Sequence, residues 1–233
     1  MQNKISVTIL TKNSSKYLGE CLKSVECFDE IIVLDNGSSD NTIEIAKTFA
    51  NVKIFTSPFI GFGPLKNLAA SYASNDWIFS LDSDEVVSEG LIQEILNLAF
   101  DKDVYFVPRL NNFFGKNIKT CGLYPDYTIR LFNKNKTKFN DVQVHESVQI
   151  TKNYGYLRCD ICHNAYENIE EFITKQNRYS SLNHKKKNLL KALFNPYWTF
   201  FRIYFLKRGF LDGWHGFVIA KLYAQYTFWK YIK

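Results

Sequence analysis

One segment constrains this chain more than any other: residues 77–85, with the sequence WIFSLDSDE. The apolar run Trp77–Leu81 has the character of a buried strand, and three carboxylates follow it, those of Asp82, Asp84 and Glu85. In an open α/β sheet, a buried strand places such groups at a ligand crevice beside its carboxyl end. Carboxylates this close repel one another, so Mg²⁺ or Mn²⁺ bound to a phosphorylated ligand is expected to neutralise them. A solvated acidic turn is the alternative, because so short a motif is common.

The first hundred residues alternate between strand-like and helix-like segments. Strands are predicted at Ile5–Leu10, Glu30–Asp35, Val52–Phe55 and Trp77–Leu81, and helices through about Glu26 and at Thr42–Ala50, Leu65–Tyr72 and Leu91–Phe100. This alternation predicts an α/β fold with a mostly parallel sheet. Polar residues follow three of the strands, namely Thr11, Asp35, and Asp82 with Asp84. Since strand ends of such a sheet face one crevice, a single site is expected to collect them.

The loops between these segments carry local signals. Ser14 or Ser15 is the expected N-cap of the first helix, and Asp40 or Asn41 that of the second. Pro64 suits the first turn of the third helix. No G-x-G-x-x-G follows the first strand and no G-x-x-x-x-G-K-[ST] occurs. These absences disfavour a dinucleotide-binding protein and a P-loop nucleotidase.

After residue 103 the pattern becomes less regular. Further strands are predicted at Val104–Leu110, Tyr127–Phe132 and Gln143–Ile150, and a helical spacing of apolar residues begins after Asn168. We therefore predict one domain over residues 1–184, with a regular half over 1–103 and a less regular half over 104–184. A helical region is predicted to follow over 185–233.

The C-terminal region is basic and aromatic. Residues 185–233 carry a net charge of +9, whereas the preceding residues sum to −3. Gly209 and Gly213 are expected to break the region into two helices, and basic residues interrupt every apolar run before it reaches the ~18–20 residues of a spanning helix. Such a composition is typical of helices at a membrane interface. The alternative is that these helices cover the sheet or form a dimer interface. Nucleic acid is not expected as a partner, because the strand-end acids would repel it.

The cysteines indicate a reducing compartment. The chain has five cysteines and opens without a signal-peptide pattern, so we expect a cytoplasmic protein with free thiols. Residues 159–163, CDICH, match the C-x-x-C-H pattern of covalent haem attachment. No second C-x-x-C completes a zinc site. A strand with two thiols is favoured over haem, zinc or redox chemistry.

Taken together, the motifs resemble those of inverting family-2 glycosyltransferases of GT-A fold, and among these the bacterial lipopolysaccharide and lipooligosaccharide core enzymes that add glucose or a similar hexose. The resemblance covers nearly the whole chain in order. The matching segments are residues 8–13, 33–40, 63–67, 81–85, 124–126, 130–132 and 144–146, then His163, Tyr166, Lys175 and Tyr179. It implies a mostly parallel Rossmann-like sheet with an irregular second half and C-terminal helices. It also implies that residues 1–184 are the catalytic domain, in which 1–103 would bind the nucleotide-sugar donor and 104–184 the acceptor.

The resemblance also implies roles for the donor-binding residues. Thr11 and Asp35 would hold the nucleoside, with the Asp35 carboxylate accepting from a base N–H or a ribose hydroxyl. Lys66 would meet phosphate or base oxygens. Asp82 would contact the ribose, and Asp84 would bind the Mg²⁺ or Mn²⁺ that bridges the diphosphate.

An inverting transfer also needs a general base to deprotonate the acceptor hydroxyl. Glu146 is the first candidate for this base and Asp126 the second, while His145 would orient Glu146 or simply pack beside it. Arg130 and Lys175 are assigned to diphosphate or acceptor phosphate, with an ordinary salt bridge as the alternative.

The leading hypothesis is therefore a hexosyltransferase that moves a sugar, glucose being the first choice, from a UDP-linked donor to a lipid-linked core saccharide at the inner membrane surface. Three alternatives stay open: a polyprenyl-phosphate sugar transferase, a nucleotidyltransferase, and a non-catalytic sugar- or membrane-binding protein. The nucleotidyltransferase is disfavoured because residues 11–15 contain no glycine.

Overall fold

The computed structural model describes residues 4–141, 146–182 and 185–233. Its strands are β1 Ile5–Thr11, β2 Glu30–Asp35, β3 Val52–Thr56, β4 Trp77–Asp82, β5 Glu85–Val87, β6 Val104–Phe113, β7 Lys116–Asn117, β8 Asp126–Asn133, β9 Tyr154–Tyr156 and β10 Ile161–Tyr166. Its helices are α1 Leu18–Ser24, α2 Thr42–Lys47, α3 Phe62–Tyr72, α4 Glu89–Leu96, α5 Ile169–Leu182, α6 Leu189–Phe201 and α7 Trp214–Ile232. A π-helical turn at Arg202–Leu206 and a 3₁₀ turn at Gly209–Asp212 join α6 to α7.

The sheet has the strand order β3-β2-β1-β4-β8-β6-β10-β5, with β7 and β9 paired to β6. The first four strands in this order pair in parallel. Their register brings three strand ends level, because Thr11 pairs with Asp35 and Leu10 pairs with Asp82. Strands β1, β2 and β4 are almost continuously buried, as expected for parallel strands covered on both faces. The predicted α/β fold is confirmed.

The chain divides into two compact units, Met1–Arg109 with Tyr127–Cys162, and Leu110–Asp126 with His163–Lys233. The first unit has its main core between β1, β2 and β4 and helices α1 and α4. The second unit has its own core, formed around Phe113, Phe172 and Ile219. The functional division predicted from the sequence, into residues 1–103, 104–184 and 185–233, stays a prediction.

Several predicted boundaries are wrong in detail. Helix α1 begins at Leu18 with Tyr17 at the N-cap position, because the Ser14 hydroxyl is used in loop contacts and not as a cap. Helix α2 begins where it was expected, and Asp40 accepts from the Thr42 amide at 3.1 Å. Helices α2 and α4 end before the residues predicted for them. Of the strand predicted at 143–150, residues 143–145 lie outside the described part, and Val148 forms one isolated bridge.

The C-terminal region forms helices, as predicted. Gly209 opens the 3₁₀ turn, and Gly213 precedes α7 with a φ of +60°. In the described part of the chain, no helix combines the length and the apolar character that crossing a membrane requires.

A buried acid at the amino end of β2 was not singled out from the sequence. Glu30 is nearly fully buried and accepts from the Ser74 amide and hydroxyl at 2.7 Å each, from the Ser6 hydroxyl, and from Lys53 Nζ at 2.7 Å. Burial would raise the pKa of Glu30, but the Lys53 ammonium and these hydrogen bonds outweigh it and lower the pKa to about 2. The carboxylate therefore joins β2 to the loop before β4.

Glu30→Gln is expected to lower the free energy of unfolding at pH 7 by about 1–2 kcal/mol, after allowance for solvent screening at the exposed Lys53. The folded-state pKa lies below the ordinary 4.5, so this stabilisation is complete above pH 4.5 and is lost as the pH falls from 4.5 towards 2. Urea unfolding at pH 7 and pH 3 measures it. The exposed Glu26→Gln is the matched control. A difference between Glu30→Gln and wild type that does not shrink at pH 3 contradicts this account.

Candidate functional site

The carboxyl end of β2 presents a fixed, ionised acceptor. The Asp35 carboxylate accepts from the backbone N–H groups of Gly37 and Ser38 at 2.9 Å each, from the Ser38 hydroxyl, and from Thr11 Oγ1 at 3.1 Å. Gly37 has a φ of +97°, which lets the loop turn back over the carboxylate. Burial would raise the pKa of Asp35, but these hydrogen bonds outweigh it and lower the pKa. The loop thus holds a charged acceptor beside the end of β1.

The loops after β1, β2 and β4 are joined to one another. The Asn13 amide donates to Ser38 Oγ at 2.8 Å, and Asn13 Oδ1 accepts from the Ser39 amide at 2.8 Å. Ser14 Oγ and Ser83 Oγ lie 2.8 Å apart. These bonds connect segments that are far apart in sequence, so the three strand ends form one surface.

An alternating chain of charges extends from the end of β4. Lys66 Nζ on α3 lies 2.9 Å from Asp82 Oδ1 and 3.0 Å from Glu146 Oε1. Arg130 on β8 pairs with Asp82 Oδ2 at 2.6 Å and also with the Glu85 carboxylate. The order is therefore Glu85, Arg130, Asp82, Lys66, Glu146, in which each carboxylate adjoins a cation.

These ion pairs change one premise of the sequence interpretation, namely that a metal ion is needed to neutralise the strand-end carboxylates. Burial would raise the pKa of Asp82, but the Arg130 guanidinium and the Lys66 ammonium outweigh it and hold that pKa well below its usual range. The carboxylates of Asp82 and Glu85 in turn raise the pKa of Arg130 despite its burial. Side chains of the protein thus neutralise Asp82, so the repulsion between the strand-end acids does not by itself require a metal ion.

Glu85 has a role that the sequence did not reveal. Its carboxylate is fully buried, and its Oε2 accepts from the backbone amide of Asp82 at 3.0 Å. Arg109 Nη1 lies 3.8 Å from its Oε1, in addition to the pair with Arg130. Glu85 therefore fixes the end of β4 from inside the sheet and does not extend the acidic surface. The available signal was its position immediately before the apolar pair Val86-Val87.

Helix α3 positions the segment that carries Glu146. Asn67 holds the backbone of Phe139 through both groups of its side-chain amide, at 2.9 and 3.0 Å. Phe139 forms a bridge with Val148, and Lys66 Nζ lies 5.4 Å from the centroid of its ring. The Lys66 side chain is only 5% exposed, so its two ion pairs form in a partly dehydrated setting. His145, predicted to orient Glu146, lies outside the described residues.

Asp84 lies in the turn between β4 and β5 and is half-buried. Within residues 4–141, 146–182 and 185–233, no three His, Cys, Asp or Glu side chains are grouped as metal ligands. Mg²⁺ in phosphoryl-ligand sites is commonly held by one or two carboxylates together with the phosphates of the ligand. A carboxylate at this turn, next to the joined loops, has the donor chemistry for such an ion.

Two predicted site residues belong to the second unit, and each has partners there. Asp126 Oδ2 accepts from Asn111 Nδ2 at 3.5 Å, and Asn111 Oδ1 lies 2.7 Å from His163 Nδ1. Lys175 Nζ pairs with Glu171 at 2.7 Å and lies 5.0 Å from the ring centroid of Tyr166. The other predicted site residues all belong to the first unit, namely Thr11, Asp35, Lys66, Asp82, Asp84, Arg130 and Glu146.

The C-x-x-C-H motif lies at β10, which begins at Ile161 and contains Cys162 and His163. All five cysteines are in the described part of the chain, and none of them forms a disulfide. Cys162 therefore lies in a strand, as predicted, whereas Cys159 lies in the bend before it.

Sequence comparison places these residues in a known family. The profile of glycosyl transferase family 2 matches residues 6–158. An uncharacterised glycosyltransferase of Rickettsia typhi is 32% identical, over 99% of this chain and 86% of that protein. The lipopolysaccharide core biosynthesis glycosyltransferase LpsC of Rhizobium meliloti is 27% identical, over 96% of this chain and 89% of that protein.

Solved structures agree on the fold. Staphylococcus aureus TarS in complex with UDP superposes with a TM-score of 0.52 at 17% identity, over 90% of this chain and 75% of that one. TarS in complex with UDP-GlcNAc gives a TM-score of 0.53 at 17% identity, over 93% and 79%. This likeness confirms the GT-A fold. Because the family profile spans all three joined strand ends and Glu146, and the Rickettsia relative matches over most of its length, we conclude that the chain belongs to glycosyl transferase family 2.

Proposed function

We propose that this protein is an inverting hexosyltransferase that moves glucose from a UDP-linked donor to a saccharide of the lipopolysaccharide or lipooligosaccharide core, carried on lipid at a membrane surface. The family membership supports sugar transfer, and the likeness to LpsC supports a core saccharide as the acceptor. The bound UDP and UDP-GlcNAc of the TarS structures support a UDP-linked donor.

The observation that carries the proposal is that Asp35 and Asp82 lie at one edge of the sheet and that Lys66 joins Asp82 to Glu146. Asp35 ends β2 and Asp82 ends β4, the two strands that flank β1, and Lys66 contacts both Asp82 and Glu146. In the proposed complex, Asp35 and Thr11 bind the nucleoside, and Asp82 binds the ribose. The Lys66 ammonium exchanges part of its contact with the carboxylates for a donor phosphate.

Asp84 is proposed to hold Mg²⁺ or Mn²⁺ together with the donor diphosphate. The bound ion would supply Lewis-acid stabilisation of the charge that develops on the leaving nucleoside diphosphate. Arg130 keeps Asp82 ionised and holds its carboxylate in place. On the observed contacts, Arg130 is therefore a positioning residue. Contact of Arg130 or Lys175 with phosphate stays a prediction.

Glu146 is proposed as the general base. As the acceptor oxygen forms its bond to the anomeric carbon, the bond from that carbon to the diphosphate breaks on the opposite face, which inverts the configuration. The hydroxyl proton passes to the Glu146 carboxylate. Lys66 Nζ lies 3.0 Å from Glu146 Oε1 and 2.9 Å from Asp82 Oδ1, so it holds the Glu146 carboxylate close to the proposed donor site. Asp126 is the second candidate for this role.

A panel of nucleotide sugars tests the donor. The purified chain is heated with UDP-glucose, UDP-galactose, UDP-GlcNAc, GDP-mannose and ADP-glucose, with and without Mn²⁺. The correct donor stabilises the fold by RT ln(1 + [L]/Kd), so at one hundred times its Kd it adds about 2.7 kcal/mol. Transfer of labelled sugar to core acceptors then identifies the product. Equal melting temperatures with all donors, and no transfer from any of them, would overturn the proposal.

Asp84→Ala is expected to abolish the increment in melting temperature that Mn²⁺ adds to donor binding, and to reduce transfer at least about 100-fold, because the diphosphate loses its bridging ion. Asp76→Ala is the matched control, since Asp76 is exposed just before the opposite end of the same strand. Unchanged transfer and unchanged metal-dependent UDP binding in Asp84→Ala would remove Asp84 from the metal site.

A further inference from the structure

Helix α6 has the reverse of the burial pattern found in a helix of a water-soluble domain. Apart from Lys191, its exposed positions are large and apolar, while its buried positions are the small residues Ala192 and Thr199. Tyr197 is 77% exposed and Leu189 is 71% exposed. The other exposed apolar side chains of the helix are Leu190, Leu193, Phe194, Trp198 and Phe201. A single exposed Leu is ordinary, but a continuous apolar face along a whole helix marks an interaction surface.

Small residues pack this helix against α7. The buried positions of α7 include Gly216, Ala220 and Ala224, which recur every fourth residue. Gly216 lies so close to Gly209 that an added Cβ would overlap the Gly209 carbonyl oxygen. The hydroxyls of Thr199 and Thr227 lie 3.2 Å apart. Packing through small residues and hydroxyls, with large apolar groups facing outward, is the arrangement of helices in a lipid environment.

The exposed apolar surface continues through the connection between the two helices. Its members are Phe205, Leu206, Phe210 and Leu211 in the connection, and Trp214 and Phe217 at the start of α7. We define the lipid-facing surface as these residues together with the exposed apolar residues of α6.

The length of α6 limits how it can meet a membrane. The helix contains 13 residues, and the π-helical turn Arg202–Leu206 follows it directly. At a rise of about 1.5 Å per residue, α6 is about 20 Å long and the whole helical run is about 27 Å long. The hydrocarbon core of a bilayer is about 30 Å thick, so such a helix is too short to cross it. A helix that exposes an apolar face and is too short to cross the bilayer is suited to lie in the plane of a membrane interface.

The charges around this surface have one sign. Exposed basic residues precede and interrupt it, namely Lys185, Lys186, Lys187, Lys191, Arg202, Lys207 and Arg208. The single acid of residues 185–233, Asp212, is buried and bonded to Thr120 and Lys116. The exposed charge of this segment is therefore entirely positive. Such a surface attracts anionic lipid and repels a second copy of itself.

We propose that the lipid-facing surface embeds the protein in one leaflet of an anionic membrane, with the apolar side chains among the acyl chains and the lysines at the headgroups. The inference rests on the proposed function and deepens it, because it identifies the face that meets the membrane carrying the lipid-linked acceptor. Trp198 and Trp214 would lie at headgroup depth, where indole rings are favoured.

Vesicle flotation tests this with the full chain. Wild-type protein is expected to float with vesicles that mix phosphatidylcholine with anionic phosphatidylglycerol, and to float at least ten times less with phosphatidylcholine alone. Leu193→Glu with Trp198→Glu is expected to reduce the partition coefficient at least about tenfold, because two embedded apolar groups are replaced by charges. Replacing Lys185, Lys186 and Lys187 with Gln is expected to reduce it about a hundredfold at low salt.

Ile150→Glu with Tyr156→Glu is the matched control, because both side chains are exposed in the first unit and outside this surface. Equal flotation of the α6 variant and this control, with both retaining their melting temperatures, would overturn the proposal. So would a stable dimer that light scattering detects for the wild type and not for the α6 variant, if that dimer persists in the presence of vesicles.

Turnover with a short, water-soluble acceptor separates this inference from the proposed function. The α6 variant is expected to keep this turnover within twofold of wild type while it loses turnover on acceptor embedded in vesicles. Loss of both activities in a folded α6 variant would overturn the assignment of α6 to the membrane. Transfer by neither the wild type nor the variant, with normal flotation, would overturn the glucosyltransferase proposal alone.

Discussion

Glu146→Gln is expected to reduce turnover about 10²- to 10⁴-fold while leaving the affinity for the nucleotide sugar unchanged, because the amide retains the shape of the side chain but cannot accept the acceptor's proton. The affinity is expected to persist because Lys66 keeps its 2.9 Å contact with Asp82 when the contact with residue 146 is weakened. Single-turnover rates and donor binding by calorimetry measure the two quantities separately.

The matched control for this variant is Asp126→Asn, which changes the second candidate for the base in the same way. Turnover that collapses in Asp126→Asn and survives in Glu146→Gln would exchange the two assignments. Turnover that survives in both would favour a polyprenyl-phosphate acceptor, because an ionised phosphate needs no strong base. A loss of donor affinity with unchanged turnover would instead assign Glu146 to donor binding through Lys66.

Arg130→Met is expected to lower the free energy of unfolding by about 3–5 kcal/mol, because it takes a close cation away from a buried carboxylate. Glu85 is fully buried, and besides its pair with Arg130 its Oε1 lies 3.8 Å from Arg109 Nη1. The Asp82 side chain is 36% exposed and retains Lys66, so most of the effect is expected to come from Glu85. Urea denaturation followed by circular dichroism measures the change.

Three companion variants separate charge from volume. Arg158→Met, at an exposed position, is expected to change stability by less than about 0.5 kcal/mol. Arg130→Lys keeps the positive charge but loses the planar guanidinium group. Its free energy of unfolding is therefore expected to lie between those of Arg130→Met and wild type. Adding Glu85→Gln to Arg130→Met is expected to restore part of the stability, since the buried charge is removed. No recovery in the double variant would contradict an electrostatic origin.

The same buried pair connects stability to the proposed chemistry. Arg130 and Glu85 hold Asp82 from two sides, one through its carboxylate and the other through its backbone amide. A small displacement of a ribose-binding carboxylate disturbs the alignment of donor and acceptor. Loss of Arg130 is therefore expected to reduce turnover even in the molecules that remain folded.

Local pattern was sufficient to predict the first half of the fold. Apolar runs of strand length, each followed by a polar turn and a helical spacing, identified β1, β2 and β4. The rule that parallel strand ends share an edge then placed Asp35 and Asp82 at the same edge, on the two sides of the end of β1. The loops were predicted less well, because the Ser14 hydroxyl has both a local use as a cap and a distant partner, and only the folded chain decides between them.

By itself, the sequence determined the first four strands, β1 to β4, and the acids at the ends of β2 and β4. It also determined that the segment 185–233 is basic and aromatic. Those properties reside in neighbouring residues, whose periodicity and charge are visible without a fold. The tertiary structure alone decided that Glu85 turns inward, that Arg130 and Lys66 neutralise Asp82, and that α6 directs its large side chains outward. The physical reason is that ion pairing and burial depend on which backbones meet, and Arg130 reaches Asp82 from 48 residues away along the chain.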